Sequence, residues 1–160
     1  MRRRYVAIAV LVSLLLLGSV AAVPGGRALV VADAETGEQY MTVPVEDGTT
    51  VALEYMHSVE KTRVYDEYTV RGDHLEMTRM EFESYGWGLP SRSDVREVNG
   101  TFVLADPDWQ GREINVKPGR IADHHLIVDG HDYDLVERSN ARAVTIRVTD
   151  RSLLATLLHS

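Results

Sequence analysis

The sequence predicts a single all-β domain, either a β-sandwich or an open barrel of short antiparallel strands. Apolar and polar residues alternate in short runs; in the run 143–148, Val144, Ile146 and Val148 fall on one side. Turn dipeptides separate these runs, among them Asp129-Gly130, which favours a type I′ hairpin turn. The chain has no internal repeat and no βαβ alternation. These patterns together favour strands over helices throughout the domain.

The predicted strands follow one another in order from residue 28. Their ranges are 28–33, 39–45, 50–59, 62–70, 74–82, 101–105, 114–116, 124–128, 131–136 and 143–148. Period-two alternation in the third strand places His57 on the same inward face as Leu53 and Tyr55. The hairpin centred on Asp129-Gly130 places His131 opposite Val128 and His124 near Leu135. Because the hairpin histidines do not converge, we expect neither a metal site nor a cofactor.

Residues 1–23 predict a signal peptide or a membrane anchor. Arg2-Arg3-Arg4 precedes the apolar run 6–23, which is barely long enough to span a bilayer if it is not cleaved. The positive-inside rule then puts everything after Pro24 outside the cytoplasm. The protein is expected at the outer face of the cell membrane if anchored, and secreted or periplasmic if cleaved. Residues 24–27 form a predicted linker, 28–150 the β-domain, and 151–160 a short C-terminal helix or tail.

Composition limits the remaining function classes. There is no cysteine, which excludes disulfides, thiolate metal sites and a cysteine nucleophile. The formal net charge is −7, and three of the 17 basic residues belong to the leader. Binding to nucleic acid is therefore disfavoured. Lys61 and Lys117 are the only lysines, and such an acidic, lysine-poor chain is typical either of a halophilic source or of an ordinary acidic exported domain.

Titratable and aromatic residues concentrate in two stretches, 56–68 and 82–90. Catalysis by Ser58 is disfavoured, because adjacent strand residues such as His57 and Ser58 point to opposite faces. A structural polar network is favoured instead, with an inward His57 bonded to Asp66, Glu60 or Tyr68. In the second stretch, glycines on both sides of Trp87 let its ring either form a contact surface or cap the end of the sandwich.

The same two stretches resemble the signatures of the family catalogued as domain of unknown function 1850. The residues that carry the first signature are His57, Ser58, Glu60, Thr62, Asp66 and Tyr68. The residues that carry the second, with Trp87 inside it, are Phe82, Ser84, Tyr85, Gly86, Trp87, Gly88, Leu89 and Pro90. Asp123-His124 before an apolar strand also fits the family.

The resemblance implies a small exported protein without an established activity. Members of the family are often encoded beside tripartite TRAP-type transporters whose solute receptors belong to the TAXI class. By that association, the expected partner is a membrane subunit or a solute receptor of such a transporter, and the expected role is non-enzymatic. The alternative from another class is a hydrolase that uses His57 with Glu60 or Asp66.

Overall fold

Short amphipathic strands joined by tight turns build the domain, as the alternation of apolar and polar residues requires. The computed structural model describes residues 24–84 and 95–152. The strands are β1 (Pro24–Asp33), β2 (Gln39–Val45), β3 (Thr50–Met56), β4 (Arg63–Arg71), β5 (His74–Phe82), β6 (Arg96–Val98), β7 (Thr101–Ala105), β8 (Gln110–Gly111), β9 (Glu113–Val116), β10 (His125–Val128), β11 (His131–Asp134) and β12 (Val144–Ser152). One short helix, α1, covers Leu135–Ser139.

Two antiparallel sheets form a sandwich. The smaller sheet has the order β2-β1-β12-β9. The larger sheet has the order β11-β10-β3-β4-β5-β7-β6, and β8 pairs with β5 beside this path. The sheets do not close into a barrel, so the all-β prediction is confirmed in its sandwich form.

The core lies between the sheets and follows the period of two. On β4 the inward residues are Val64, Asp66, Tyr68 and Val70, and the residues between them are half-buried. The main hydrophobic cluster joins β1 and β12 of the smaller sheet to β3, β4, β5 and β10 of the larger one. Each buried aliphatic side chain stabilises such a core by about 1.5–3 kcal/mol.

The larger sheet extends beyond the main cluster. Leu53 and Tyr68 belong to that cluster, whereas Val64, Phe82 and Leu104 are buried but lie outside it. Asp66 stands between Val64 and Tyr68 on the inward face of β4. It therefore lies where the main core ends.

Two predicted strands end earlier than expected. β3 stops at Met56 rather than at residue 59, because the chain reverses at His57 to enter β4. β11 stops at Asp134 rather than at residue 136, because the Asp134 side chain accepts a hydrogen bond from the Glu137 backbone N–H at 2.8 Å and begins α1. The sequence reasoning also missed the short strands β6 and β8.

The ends of the described chain are in strands. β1 begins at Pro24, so it includes the residues 24–27 suggested as a linker, and β12 runs to Ser152. The expected leader (1–23) and most of the expected C-terminal helix (153–160) lie outside the described residues. Within the described part, no helix is long and apolar enough to span a membrane.

Asp33 fixes the turn between β1 and β2. Its side chain is buried, with a relative exposure of 1 %. Oδ1 accepts the backbone N–H groups of Glu35 and Thr36 at 3.0 and 2.8 Å. Oδ2 accepts the Tyr40 hydroxyl at 2.7 Å and pairs with Arg142 at 2.9 Å. The hydrogen bond from Tyr40, followed by that from the Thr36 N–H, holds the pKa of Asp33 well below its usual range.

Asp33→Asn should therefore lower the Tm clearly at pH 7, because it turns an amide donor towards groups that themselves donate. A depressed native pKa stabilises the fold above the unfolded-state value of 3.8 and is lost as the pH falls below it. The Tm difference between wild type and variant should then shrink in that acid range. Asp129→Asn, the same change at an exposed turn residue, is the control in these melting curves. Equal Tm values for Asp33→Asn and wild type at pH 7 would contradict the assignment.

Candidate functional site

Asp66 is the centre of the candidate site because the strand pattern forces a carboxyl group into the core. The residue has a relative exposure of 7 %. It lies opposite Leu53 on β3 and opposite Met80 on β5. No arginine, lysine or histidine of the described residues forms an ion pair with it.

The Asp66 carboxyl group is only partly satisfied. Among the described residues, Oδ1 has no hydrogen-bond partner. Burial raises the pKa of Asp66 to about 7, and a hydrogen bond from the Tyr55 hydroxyl offsets only part of this rise. Burial also raises the pKa values of Tyr55 and Tyr68, so both phenols keep their protons at neutral pH. Asp66 is thus poised between its neutral and ionised forms.

The His124 ring packs against the Tyr55 ring. The rings of Tyr55 and His124 stack in parallel, with centroids 4.9 Å apart and 6° between their planes. His124 Nδ1 accepts the Gly119 backbone N–H at 3.2 Å, and burial lowers the pKa of His124. The Met56 N–H donates to the Ala122 carbonyl at 2.6 Å and ties this loop to β3. The loop before β10 therefore fixes the phenol that bonds to Asp66.

Trp109 packs against Tyr68, the second tyrosine beside Asp66. The sequence reasoning did not single out this tryptophan. Its ring meets Tyr68 edge to face at a centroid distance of 5.4 Å, and its relative exposure is 39 %. A Cβ at Gly111 would lie 2.9 Å from Trp109 Cζ2, so only glycine leaves room for the indole there. The sequence feature that could have indicated this residue is a tryptophan between an Asp-Pro-Asp turn and a glycine.

The hairpin β4–β5 brings several of the family-motif residues onto one face. Val64 pairs with Phe82, so Thr62 and Ser84 continue on the same side, and their hydroxyls are 3.1 Å apart. Phe82 is fully buried and stacks on Phe102 at 5.5 Å between centroids. Thr62, Asp66, Tyr68, Phe82 and Ser84 thus line one inward face.

His57 lies in the loop after β3, which corrects the expectation that it continues the strand. Its Nδ1 accepts the Glu60 backbone N–H at 3.2 Å, and its N–H and C=O bond to Thr62 and Lys61 within the hairpin loop. Lys61 has φ of +58°, a left-handed conformation that tightens this reversal. His57 is half-buried, and Ser58 and Glu60 are exposed.

Asp66 lies far from the loop that contains His57. Its cross-strand partner Leu53 precedes His57 by four residues, which is about 13 Å along a strand. Within residues 24–84 and 95–152, no serine or threonine hydroxyl hydrogen-bonds to a histidine. The loop residues Tyr85, Gly86, Trp87, Gly88, Leu89 and Pro90 lie outside the described residues.

One surface cluster has the donor types of a metal site. Side-chain ligand atoms of Asp123, His125 and Asp134 lie within 4.8 Å of one another. His125 Nδ1 is 2.7 Å from Asp132 Oδ1, a contact that raises the pKa of His125. The predicted hairpin register is confirmed, with Val128 opposite His131. The sequence reasoning placed Asp123 beside the histidines but missed the carboxylates of Asp132 and Asp134, which also lie near His125.

The Asp66 carboxyl generates a testable dependence of stability on pH. The native pKa of about 7 exceeds the unfolded value of 3.8, so the native state binds more protons between these values. The free energy of unfolding should fall as the pH rises from 4 to 7, by on the order of 4 kcal/mol, and level off above it. Asp66→Asn should lack this decrease and unfold at a higher temperature than wild type above pH 7.

Asp129→Asn is again the matched control, since it makes the same chemical change at an exposed turn. Denaturant or thermal unfolding of the three proteins from pH 4 to 8 measures the effect. A variant Asp66→Asn that is no more stable than wild type at pH 8 would show that the carboxyl is not strained by burial.

The family of the chain follows from a direct comparison. A sequence model of the family described as Domain of unknown function (DUF1850) matches residues 51–135. The matched range begins in β3 and includes Tyr55, Asp66, Tyr68, Trp109 and His124. The chain has no significant match among curated proteins or among solved structures. More than half of the chain fits the family model, and the protein therefore belongs to the DUF1850 family.

Proposed function

We propose that this protein is a non-enzymatic binding module that works outside the cytoplasm as an accessory of a TRAP-type (TAXI) transporter. It holds either a component of that transporter or its small solute at the inward face around Asp66. The observation that carries the binding role is the buried Asp66 Oδ1 with no partner among the described residues. A buried, half-satisfied carboxyl destabilises a fold, and such groups are typical of functional sites.

Binding has more support than catalysis. The side chains that interact with Asp66 are phenols whose pKa values are raised by burial, so neither is an activated nucleophile or base near neutral pH. The alternative hydrolase would use His57 with Glu60 or Asp66. His57 Nδ1 already accepts a backbone N–H, Glu60 is exposed, and Asp66 lies on the inward face of the sheet.

The location and the partner rest on the sequence. Arg2-Arg3-Arg4 followed by the apolar run 6–23 supports export, with the membrane as the anchor if the leader is retained. The transporter association rests on the family resemblance alone and is an associational argument. The acidic composition supports a role that does not involve nucleic acid.

Site-directed photo-crosslinking of the full chain in cells that carry the transporter tests the proposal. A benzophenone amino acid replaces Trp109, which is partly exposed and touches Tyr68, or Thr42, which is exposed on β2 of the other sheet. Position 109 should yield an adduct that position 42 does not. The mass of the adduct distinguishes a transporter subunit, a solute receptor and a small solute.

The dependence on Asp66 makes the test specific. The yield of the adduct at position 109 should fall at least tenfold when Asp66→Asn is added. The reason is that removing the charge weakens a buried, charge-assisted contact by about 2 kcal/mol. The matched change Asp129→Asn should leave it intact. No adduct at position 109, or one that is indifferent to Asp66→Asn, would refute the proposed site.

A further inference from the structure

We infer that the group recognised at Asp66 is an organic ammonium, supplied by a small amine or by a lysine side chain of a partner. The inference deepens the proposed binding role of this face and rests on it. It follows from the hydrogen-bond acceptor that the site presents and from the counter-ion that the described residues do not supply.

The site offers an acceptor without a donor. An ionised carboxylate only accepts hydrogen bonds, and Asp66 receives one from Tyr55 while Oδ1 receives none from the described residues. With 7 % relative exposure, the side chain has little access to bulk water as a substitute. A ligand that completes the site must therefore donate, and an ammonium group carries three N–H donors.

Among the described residues, no positively charged side chain pairs with Asp66. Arg63 is the nearest cation along β4, but its guanidinium serves the opposite face of the sheet, where it pairs with Glu54 at 2.7 Å and with Glu81 at 3.2 Å. It also lies 4.8 Å from the centroid of the Tyr65 ring. A buried carboxylate without a counter-ion costs several kcal/mol, and a bound cation would remove most of that cost.

Aromatic side chains flank the carboxylate. Tyr55 and Tyr68 both interact with Asp66, and the partly exposed ring of Trp109 meets the buried Tyr68 edge to face. A carboxylate between aromatic rings is the combination that binds alkylammonium groups, through an ion pair and cation–π attraction together. A Ca²⁺ or Mg²⁺ ion would instead take six or more oxygen ligands, which the faces of aromatic rings do not supply.

The protonation state of Asp66 determines whether ligand affinity rises or falls with pH. The titratable side chains that interact with Asp66 among the described residues are Tyr55 from β3 and Tyr68 from β4, and the residue opposite on β5 is Met80. Both phenols stay neutral near pH 7, so Asp66 alone titrates there, with a pKa of about 7. Ammonium needs the carboxylate, so its affinity should rise about tenfold per pH unit up to pH 7 and then level off. A ligand that accepts hydrogen bonds needs neutral Asp66 and would show the opposite trend.

The experiment is a calorimetric or NMR titration of the full chain between pH 5 and 9. The probes are methylammonium, 1,4-diaminobutane and Nα-acetyl-lysine methylamide, with potassium chloride at equal ionic strength and acetate as controls. Saturable binding of the free amines points to a small solute, and preferential binding of the lysine derivative points to a partner side chain. Either result, with the rising pH profile, supports the inference.

Two variants define the site. Asp66→Asn should weaken amine binding at least tenfold at pH 8, whereas Asp129→Asn should not change it, and melting curves confirm that both are folded. Tyr55→Phe removes the hydrogen bond that lowers the pKa of Asp66, so the midpoint of the pH profile should move upward. Tighter binding of acetate at low pH, amine binding that ignores Asp66→Asn, or no saturable amine binding would each overturn the inference.

Failure here is distinct from failure of the proposed function. If amines do not bind but an adduct at position 109 depends on Asp66, the binding role stands and only the ligand class is wrong. If the adduct is also missing, both proposals fall.

Discussion

The register of β3, β4 and β5 is the constraint on which both the core and the candidate site depend. Leu53, Asp66 and Met80 lie opposite one another across the three strands. Because side chains alternate between faces, a slip of one residue on β4 would expose Asp66 and bury Tyr65 and Glu67 instead. The hydrophobic residues Val64, Tyr68 and Val70 on the same face oppose that slip. The energy of core packing thus holds the carboxyl group in an environment that disfavours its charge.

Two buried aspartates show how partners decide the effect of burial. Asp33 receives two backbone N–H groups, the Tyr40 hydroxyl and Arg142, and its pKa is lowered. Asp66 receives only the Tyr55 hydroxyl among the described residues, and its pKa is raised. The first carboxylate stabilises the turn after β1 and pairs with Arg142, which precedes β12. The second is expected to reduce stability at neutral pH, as a group retained for binding rather than for folding would.

The sequence predicted the strands well because alternation and turn dipeptides are local signals. The turn at Asp129-Gly130 with its register and the strand His74–Phe82 were predicted as the structure has them. The end of β3 was not, because residues 51–59 continue the alternation and only the backbone bonds of His57 to Lys61 and Thr62 show where the chain turns. Likewise Asp134 ends β11 through a cap to Glu137, which outweighs the apolar pair Leu135-Val136.

The site could be predicted only in part, since most of its contacts join distant residues. The sequence singled out Thr62, Asp66, Tyr68 and Phe82, which share one inward face. It offered Asp66, Glu60 or Tyr68 as partners of His57, whereas the side chain that bonds to Asp66 in the structure is Tyr55. The stack of Tyr55 on His124 and the contact of Tyr68 with Trp109 connect residues at least 40 positions apart. No local period encodes such pairs.

The most direct measurement of the central claim is a carbon-13 NMR titration of the Asp66 side-chain carboxyl in the folded protein. Selective labelling of aspartate, with Asp66→Asn for assignment, resolves this signal. A midpoint near pH 7 is expected, because burial disfavours the charge and Tyr55 alone offsets it. A midpoint near or below 4, the range of an ordinary aspartate, would show that the carboxylate is solvated or fully paired and would contradict the account.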